Sequence, residues 1–289
     1  MSRDNSAPGG PACHILAEGL RFPEGPAFDR NGDLWCVELQ GGSLVRCDPG
    51  GAITHVTVGG APNGLGVGAD NAIWFCDAER DTVRVYDVAS GRCETAVDAV
   101  EGARLAHPND LAFDTAGNLV FTCPGDSRHA PSGYVCCLTP AGACSVVARD
   151  LQFPNGLAFL PDGDLVVAET RRQRLWRGGW DPGGRTWREP RPYWSTSGPI
   201  GPDGLAVDAG GRVYAAIYGA GRVEVFDAEG ACVETLPTPG ENPSNCAFDP
   251  SGRLGLVVTE TQHGRLLAFP ALRPGLALPS GRPWSAHAH

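Results

Sequence analysis

The sequence predicts an all-β fold, a six-bladed β-propeller with four antiparallel strands in each blade. A proline followed by a residue with a side-chain oxygen recurs six times within the 289 residues. The residues after the prolines are 39, 46, 46, 48 and 41 positions apart, a spacing typical of propeller repeats. Between the motifs, short segments alternate apolar and polar residues, and no segment has the periodicity of a helix. The six residues after the prolines are Glu24, Asn63, Asn109, Asn155, Asp203 and Ser244.

Each repeat predicts four strands in the same order. The first begins at the motif proline and ends at a tight turn that contains glycine. The turn glycines are Gly32, Gly117, Gly163, Gly211 and Gly252. The later strands follow directly along the chain. Examples are residues 33–37, 118–122, 164–168 and 212–216 for the second strand, 43–47, 82–86, 133–138 and 222–226 for the third, and 53–58 and 232–236 for the fourth.

The last repeat lacks a fourth strand, because the pattern stops after residues 266–269. An apolar segment at 14–20 precedes the first repeat, and we expect it to complete the sixth blade. This closure would leave no open sheet edge around the ring. The sequence therefore predicts one propeller domain at 14–272. Flexible tails rich in Pro, Gly, Ser and Ala are expected at 1–13 and 273–289.

The charge composition excludes several classes of function. All 23 basic residues are arginines, and the net charge is -10. Without lysine the chain has no Schiff-base nucleophile, no pyridoxal phosphate anchor and no P-loop lysine. An acidic surface is also a poor partner for nucleic acid or an anionic membrane. We therefore expect a small-molecule substrate, with no nucleic-acid or membrane partner, and a monomer or weak oligomer.

The eleven cysteines contain no C-x-x-C pair, so a zinc ribbon or a thioredoxin-like motif is not expected. Most lie in apolar segments, such as Cys36 and Cys76. Their number is odd, and the N-terminal residues do not resemble a signal peptide. These features predict small, buried, unpaired cysteines and a cytoplasmic protein.

The six motif residues are expected at one mouth of the central channel, because the first strand of each blade lies nearest the axis. Their side chains combine two carboxylates with amides and a hydroxyl, and such oxygen ligands suit a hard cation such as calcium. Pro-Asn-Gly and Pro-Asp-Gly are also common turn sequences. Glycine already supplies the turns elsewhere, however, and Glu24 is a poor turn residue. The pattern therefore predicts a metal site.

Four segments carry a family resemblance: Phe22-Pro23-Glu24-Gly25-Pro26, His107-Pro108-Asn109-Asp110, Phe153-Pro154-Asn155-Gly156-Leu157 and Gly201-Pro202-Asp203-Gly204-Leu205. They resemble the gluconolactonase/regucalcin (senescence marker protein) family, and the similarity extends over residues 14–272. The resemblance implies a six-bladed propeller and a metal-dependent lactonase. It makes Glu24, Asn155 and Asp203 direct metal ligands, with Asn109 beside them as a ligand of metal or substrate. The more distant paraoxonases and diisopropyl fluorophosphatase have a similar Glu-Asn-Asn-Asp set.

The sequence departs from this family two residues before Asn109. Sugar lactonases usually place an arginine there, which helps to hold the substrate, and this chain has His107. The histidine is a candidate proton carrier near neutral pH. The alternative is a channel-wall histidine that donates a hydrogen bond to a backbone carbonyl.

Loops between second and third strands are expected at the same mouth. They supply the candidate substrate contacts Arg171 and Tyr218, and the longest loop, 124–132, supplies His129 as part of a candidate lid. Asn63, Asn109 and His107 complete the expected substrate-binding set. An ordinary solvated loop remains the alternative for each loop residue. The same loops carry the acidic residues Glu38, Asp77, Glu169 and Glu260.

The expected function is metal-assisted hydrolysis of a sugar lactone, or of a related small lactone or ester. One divalent cation would polarise the carbonyl, with calcium expected and zinc, manganese or magnesium as alternatives. Asp203, Asp110 or His107 would take a proton from the attacking water. Phosphotriester hydrolysis, and lyase or cyclisation chemistry at the same site, remain alternatives. So does a non-catalytic binding propeller similar to the NHL or WD-repeat modules.

Overall fold

A computed structural model describes residues 13–270, 272–279 and 281. Its strands form six four-stranded antiparallel sheets arranged as a ring, which confirms the six-bladed propeller. A two-stranded ribbon, Ala99–Val100 with Ala103–Arg104, lies between the second and third blades. The one helical element among the described residues is a 3-10 turn at Thr170–Arg172. That part of the chain contains no helix long and apolar enough to cross a membrane.

The strands are numbered in chain order, beginning with β1 (His14–Ala17). Blade one contains β2 (Pro23–Phe28), β3 (Leu34–Glu38), β4 (Ser43–Cys47) and β5 (Ile53–Thr57). Blade two contains β6 (Pro62–Val67), β7 (Ile73–Asp77), β8 (Thr82–Tyr86) and β9 (Cys93–Val97), and the ribbon strands are β10 and β11. Blade three contains β12 (Leu111–Phe113), β13 (Leu119–Cys123), β14 (Gly133–Leu138) and β15 (Cys144–Leu151).

The remaining blades repeat this order. Blade four contains β16 (Pro154–Phe159), β17 (Asp164–Glu169), β18 (Arg174–Asp181) and β19 (Thr186–Ser195). Blade five contains β20 (Gly201–Val207), β21 (Val213–Tyr218), β22 (Arg222–Phe226) and β23 (Cys232–Pro237). Blade six contains β24 (Pro243–Phe248), β25 (Leu256–Glu260) and β26 (Arg265–Phe269), with β1 as its outer strand.

The ring closes through the first strand, as the sequence predicted. Strand β1 pairs antiparallel with β26, and His14 lies opposite Ala268. The predicted apolar segment 14–20 is extended in this sheet only as far as Ala17. Because the N-terminal strand and the last repeat share one sheet, the two ends of the propeller domain are held by backbone hydrogen bonds.

The predicted glycine turns lie at the face opposite the motif prolines. Gly32, Gly117, Gly163, Gly211 and Gly252 all have positive φ, which explains why glycine recurs there. The aspartate that ends an inner strand caps several of these turns. Asp29 is an example, since its Oδ1 accepts the backbone N–H groups of Asn31 at 2.8 Å and Asp33 at 2.9 Å. This explains how buried aspartates are tolerated at that end of the blades.

Apolar residues of neighbouring blades pack together and form the core. Between blades two and three, for example, the buried side chains of Cys76 and Val83 belong to one cluster with Leu111 and Phe121. All eleven cysteines lie in the described part of the chain, and none forms a disulfide. Eight of them are buried. The prediction of small, buried, unpaired cysteines is confirmed for those eight, and Cys232 is exposed.

The chain continues past β26 along the ends of the inner strands. The backbone N–H of Leu276 donates to Val207 O at 2.9 Å, and Pro274 O accepts from Ala209 N at 2.9 Å. Leu276 also packs on the core between blades four and five. Gly281 lies against the ring of Phe113, at the end of the inner strand of blade three. The described residues of this C-terminal segment, 272–279 and 281, therefore run across the face opposite the motif prolines.

The predicted tails are only partly described. Residues 1–12 and 282–289, with 271 and 280, lie outside the described residues. Cys13, at the end of the predicted N-terminal tail, is buried against blades five and six. The domain limits 14–272 therefore remain a prediction.

Candidate functional site

The six motif residues begin the inner strands, so the fold brings them to one end of the channel, which we call the entry mouth. Glu24, Asn63, Asn155 and Asp203 are each less than a tenth exposed. Asn109 is half-buried. Ser244 is fully buried, and its hydroxyl bonds Pro23 O at 3.0 Å and Thr259 Oγ1 at 2.8 Å. Ser244 therefore ties blade six to blade one rather than presenting a free oxygen.

Three buried carboxylates meet at the axis: Glu24, Asp110 and Asp203. Burial, with the nearby charge of Asp110, raises the pKa of Glu24 to about 8. Burial also raises the pKa of Asp110 to about 6. The pKa of Asp203 lies well above its usual value, because it is buried and close to the charges of Glu24 and Asp110. No arginine or histidine among the described residues pairs with any of the three. The cluster therefore lacks positive charge.

Asp110 and Asn245 form a second layer of the channel, one residue deeper than the motif ring. Asn245 Nδ2 donates to Asp110 Oδ2 at 3.2 Å, which joins blades three and six across the axis. At the same repeat position the other four blades have glycine, namely Gly25, Gly64, Gly156 and Gly204. A Cβ on Gly64 would lie 2.1 Å from Asp110 Oδ1, and one on Gly204 would lie 2.0 Å from Asn245 Cγ. The glycines therefore make room for the two crossing side chains.

The side-chain amides of the three motif asparagines differ in their hydrogen bonds. Asn155 Nδ2 donates to Thr170 Oγ1 at 3.3 Å, and that hydroxyl donates in turn to Pro202 O at 2.7 Å. With its nitrogen engaged, Asn155 can offer Oδ1 as a ligand. Within the described residues, the side chains of Asn63 and Asn109 make no hydrogen bond. Their amides are available to a ligand or substrate.

His107 lies at the rim of the entry mouth, with 58% of its side chain exposed. Its Nδ1 lies 2.8 Å from Ala78 O and 3.5 Å from Asp81 Oδ1, so Nδ1–H donates to the carbonyl. Its backbone N–H donates to Asp81 Oδ1 at 2.9 Å. The contact to a backbone carbonyl is the second of the two interpretations made from the sequence, and the role of proton carrier stays a prediction.

The acidic residues that end the second strands are buried structural groups, and the expectation that these loops present them at the mouth is wrong. Glu38, Asp77 and Glu169 accept the backbone N–H groups of Arg21, Ala61 and Gln152, at 2.9, 3.0 and 2.7 Å, in the loops that lead into inner strands. Glu260 accepts Gln262 N at 2.8 Å. All four carboxylates are at most 3% exposed. They hold the loops around the entry mouth.

The remaining predicted contacts lie further out. Tyr218 is half-buried, its ring stacks on Phe22 at 6.5 Å between centroids, and Thr261 Oγ1 donates to its hydroxyl at 3.3 Å. His129 and Arg171 are exposed. Ser127 fastens the loop that carries His129, because its Oγ accepts the N–H of Phe153 at 2.9 Å.

Two residues of the site were missed by reasoning from the sequence, Asn245 and Phe22. A signal for Asn245 was available, because only Asp110 and Asn245 replace glycine at the position after the motif residue. Phe22 belongs to one of the motif segments, but nothing in the sequence pattern shows where its ring points.

The donors at the entry mouth fit a hard cation. No three or more His, Cys, Asp or Glu side chains of the described chain form a metal-binding group. The fitting set instead mixes the carboxylates of Glu24 and Asp203 with the amides of Asn109 and Asn155. Mixed carboxylate and amide oxygens are ligands that calcium accepts. A cation there would also supply the positive charge that the buried carboxylates lack.

Comparison with known proteins identifies the family. The model of the SMP-30/Gluconolactonase/LRE-like region matches residues 22–262, which is most of the propeller. The chain belongs to this family. The resemblance noted in the motif segments is thereby confirmed.

Several relatives match over most of the chain. Diisopropyl-fluorophosphatase of Loligo vulgaris is 30% identical over 295 residues, covering 90% of this chain and 92% of that enzyme. Gluconolactonase of Zymomonas mobilis is 27% identical, covering 83% of this chain and 76% of that protein. A gluconolactonase structure from Xanthomonas campestris superimposes with a TM-score of 0.80 at 28% identity, covering 96% of this chain and 95% of that one. These relatives bear the names of hydrolases and lactonases.

Proposed function

We propose that the protein is a divalent-metal-dependent hydrolase that opens a lactone ring at the entry mouth. The observation that carries this proposal is the buried cluster of Glu24, Asp110 and Asp203, which has no basic partner among the described residues. Buried carboxylates persist when a cation or a substrate compensates them. Membership of a family whose relatives include lactonases supplies the reaction class.

Glu24, Asn155 and Asp203 would hold the cation, with Asn109 as a further ligand of metal or substrate. Calcium fits this oxygen set best, and zinc, manganese and magnesium are the alternatives to test. When bound, the cation supplies Lewis-acid polarisation of the lactone carbonyl and stabilises the oxygen charge that develops on it. The amides of Asn63 and Asn109 would orient the substrate. His129 and Arg171 remain candidate contacts at the outer rim.

Hydrolysis needs a group that takes a proton from water as its oxygen attacks the carbonyl carbon. The ring C–O bond then breaks, and the proton passes to the departing alkoxide. His107 is suited to this role, because Ala78 O holds Nδ1–H and leaves Nε2 free. Asp203 is the second candidate. Asp110 has both oxygens engaged, by Leu111 N at 2.8 Å and Asn245 Nδ2 at 3.2 Å, so we place it in the channel floor.

The test combines metal analysis with a lactone panel. The purified protein is stripped with a chelator and then supplied separately with calcium, zinc, manganese or magnesium. We expect turnover of at least one sugar or aliphatic lactone that disappears on chelation and returns with one of these ions. Glu24→Gln should lose tight metal binding by calorimetry, because an amide replaces a charged ligand. Glu79→Gln, on an exposed loop, is the matched control.

Two results would refute the proposal. One is a folded protein that binds none of the four ions, and the other is a metal-loaded protein that hydrolyses no lactone. To separate the two bases, His107→Gln and Asp203→Asn are compared at saturating metal. If His107 is the base, its variant loses most of kcat while the metal Kd is unchanged. If Asp203 is the base as well as a ligand, both quantities change in its variant.

Phosphotriester hydrolysis is a second candidate. It is favoured by the 30% identity to an enzyme named diisopropyl-fluorophosphatase over 90% of this chain. The same cation would polarise a phosphoryl oxygen in place of a carbonyl. An organophosphate added to the lactone panel distinguishes the two, because the preferred substrate class is the one with the higher kcat/KM.

A further inference from the structure

The last residue of the second strand has an unusual identity in blade five. In blades one, two, four and six this position holds a buried carboxylate that binds backbone N–H groups of a loop. In blade three it holds Cys123, and the hydroxyl of Tyr134 instead accepts the N–H of Ala106 at 3.0 Å. Blade five has Tyr218, which makes no such contact to a backbone N–H in the described chain. The Tyr218 side chain therefore does not bind a loop backbone in the way that the carboxylates of the other blades do.

Tyr218 instead contacts Phe22 and Thr261, which belong to the neighbouring parts of the ring. Its ring stacks on Phe22, with 6.5 Å between centroids and 28° between planes. Tyr218 belongs to blade five and Phe22 leads into blade one, so their contact passes over blade six. Burial raises the pKa of Tyr218, and the nearby charges of Asp203 and Glu24 raise it further. Phe22 precedes Glu24 by two residues, and Tyr218 lies opposite Gly201, two residues before Asp203. The pair therefore lies beside the carboxylates of the site, and we call it the aromatic wall.

The ring of Phe22 extends from a backbone in the left-handed region. Phe22, His107 and Phe153 occupy the same repeat position, directly before the motif proline. Their φ angles are 61°, 48° and 60°, in the left-handed region that non-glycine residues rarely adopt. Such a conformation is strained for a residue with a side chain and occurs at many functional sites. Two of the three side chains are aromatic, in blades one and four, on opposite sides of the channel.

We propose that the aromatic wall of Phe22 and Tyr218 binds an apolar ring or alkyl substituent of the substrate. The enzyme would then prefer a lactone or ester with such a substituent over a polyhydroxylated one. An apolar group gains free energy when it leaves water for an aromatic face, whereas hydroxyl groups pressed against that face lose hydrogen bonds to water. This inference rests on the proposed hydrolase function, because it names the substrate class of the same site.

The test compares two lactones, one with a phenyl substituent and one polyhydroxylated, in the metal-loaded protein. Rates are divided by the uncatalysed rate of each lactone. We expect Phe22→Ala to lower kcat/KM for the phenyl lactone roughly 10- to 100-fold and to change the other by less than about threefold. Alanine keeps the same left-handed strain as phenylalanine, so backbone effects are matched. Tyr193→Ala, at an aromatic residue on the outer strand of blade four, is the control.

Tyr218 provides an independent variant. Tyr218→Phe keeps the ring and should retain the preference for the phenyl lactone, whereas Tyr218→Ala should lose this preference. The two Tyr218 variants therefore test the aromatic wall even if Phe22→Ala does not fold. Equal losses for both lactones in Phe22→Ala and Tyr218→Ala would overturn the inference, as would a wild-type preference for the polyhydroxylated lactone. If no lactone is hydrolysed, the proposed function fails. In that case the binding of a phenyl-substituted lactam is measured by calorimetry. Binding that Phe22→Ala weakens would still support the aromatic wall, and a lactam that does not bind would refute it.

Discussion

Asp110 and Asn245 share a hydrogen bond of 3.2 Å across the axis of the propeller, although 135 residues separate them in sequence. The orientation of the amide is fixed, because Asn245 Oδ1 accepts the N–H of Cys246 at 2.8 Å and so turns Nδ2 toward Asp110. The bond joins blades three and six, which lie on opposite sides of the ring. Its two residues each follow a motif residue, so the bond lies one residue deeper in the channel than Glu24 and Asp203.

Replacing Asn245 with alanine should destabilise the fold. The change removes the donor to a buried carboxylate, and a buried acceptor left without its partner costs about 1–3 kcal/mol. We expect the free energy of unfolding in urea to fall by this amount for Asn245→Ala. Asn31→Ala, in an exposed turn, should change it by less than about 0.5 kcal/mol. Equal stability of the two variants would show that the crossing bond contributes nothing.

The glycines around this bond should not tolerate a methyl group. In Gly204→Ala the new Cβ would lie 2.0 Å from Asn245 Cγ, which forces Asn245 off the axis. We expect lower stability and weaker metal binding, measured by urea unfolding and calorimetry. In Gly183→Ala the nearest atom to the new Cβ is Asp181 Oδ1 at 3.6 Å, so this control should behave as wild type. A stable Gly204→Ala with unchanged metal Kd would contradict the tight packing.

Much of the fold was readable from the repeat. The six motif prolines set the register of every blade, and the predicted third strands at 43–47, 82–86 and 222–226 match the observed ones. Glycine turns are local chemistry, so each glycine could be assigned from its own few residues. The approach of Glu24 and Asp203 followed from the same symmetry, because equivalent positions of a closed ring face one axis.

The features that could not be predicted from the sequence are those that depart from the repeat symmetry. The direction of a side chain such as Phe22 is set by a left-handed backbone that a phenylalanine rarely adopts, so propensity argues against it. Leu276 packs on the core from a segment with no repeat and no periodicity. Buried Glu169 was assigned to a loop surface, because a sequence does not show which backbone N–H groups will need an acceptor.

The free energy of unfolding of the metal-free protein should fall as pH rises, which is opposite to the effect of a carboxylate whose pKa is lowered by folding. The pKa of Glu24 rises from 4.5 to about 8 in the folded state, and that of Asp110 from 3.8 to about 6. Between these values the folded state binds more protons than the unfolded one, so the free energy of unfolding falls as pH rises from about 4 to 8. Urea unfolding in chelator measures this slope, and Glu24→Gln should reduce it. Metal affinity should increase over the same range, since protons compete for the ligands. Identical slopes for wild type and Glu24→Gln would contradict the assignment.

The C-terminal segment should stabilise the face opposite the entry mouth without taking part in metal binding. A chain ending at Pro270 loses the bond from Leu276 N to Val207 O and the acceptor of Ala209 N. It also loses the packing of Leu276, so we expect the free energy of unfolding to fall by about 2 kcal/mol. Hydrogen exchange gives the local readout, because the amide of Ala209 should lose its protection while that of Leu205, in the middle of β20, keeps it.

Point variants in the C-terminal segment and the metal Kd of the shortened chain test the same contacts. Leu278 is 71% exposed, so Leu278→Ala in the full-length chain should leave both stability and exchange at Ala209 unchanged, whereas Leu276→Ala should reproduce part of the loss. The metal Kd of the shortened chain should equal that of the full chain, because the motif residues lie at the other end of the inner strands. A shortened chain with full protection at Ala209 would show that the segment does not hold this face. A large loss of metal affinity would instead mean that the two ends of the inner strands are coupled through the Asp110–Asn245 bond, since that bond lies between them.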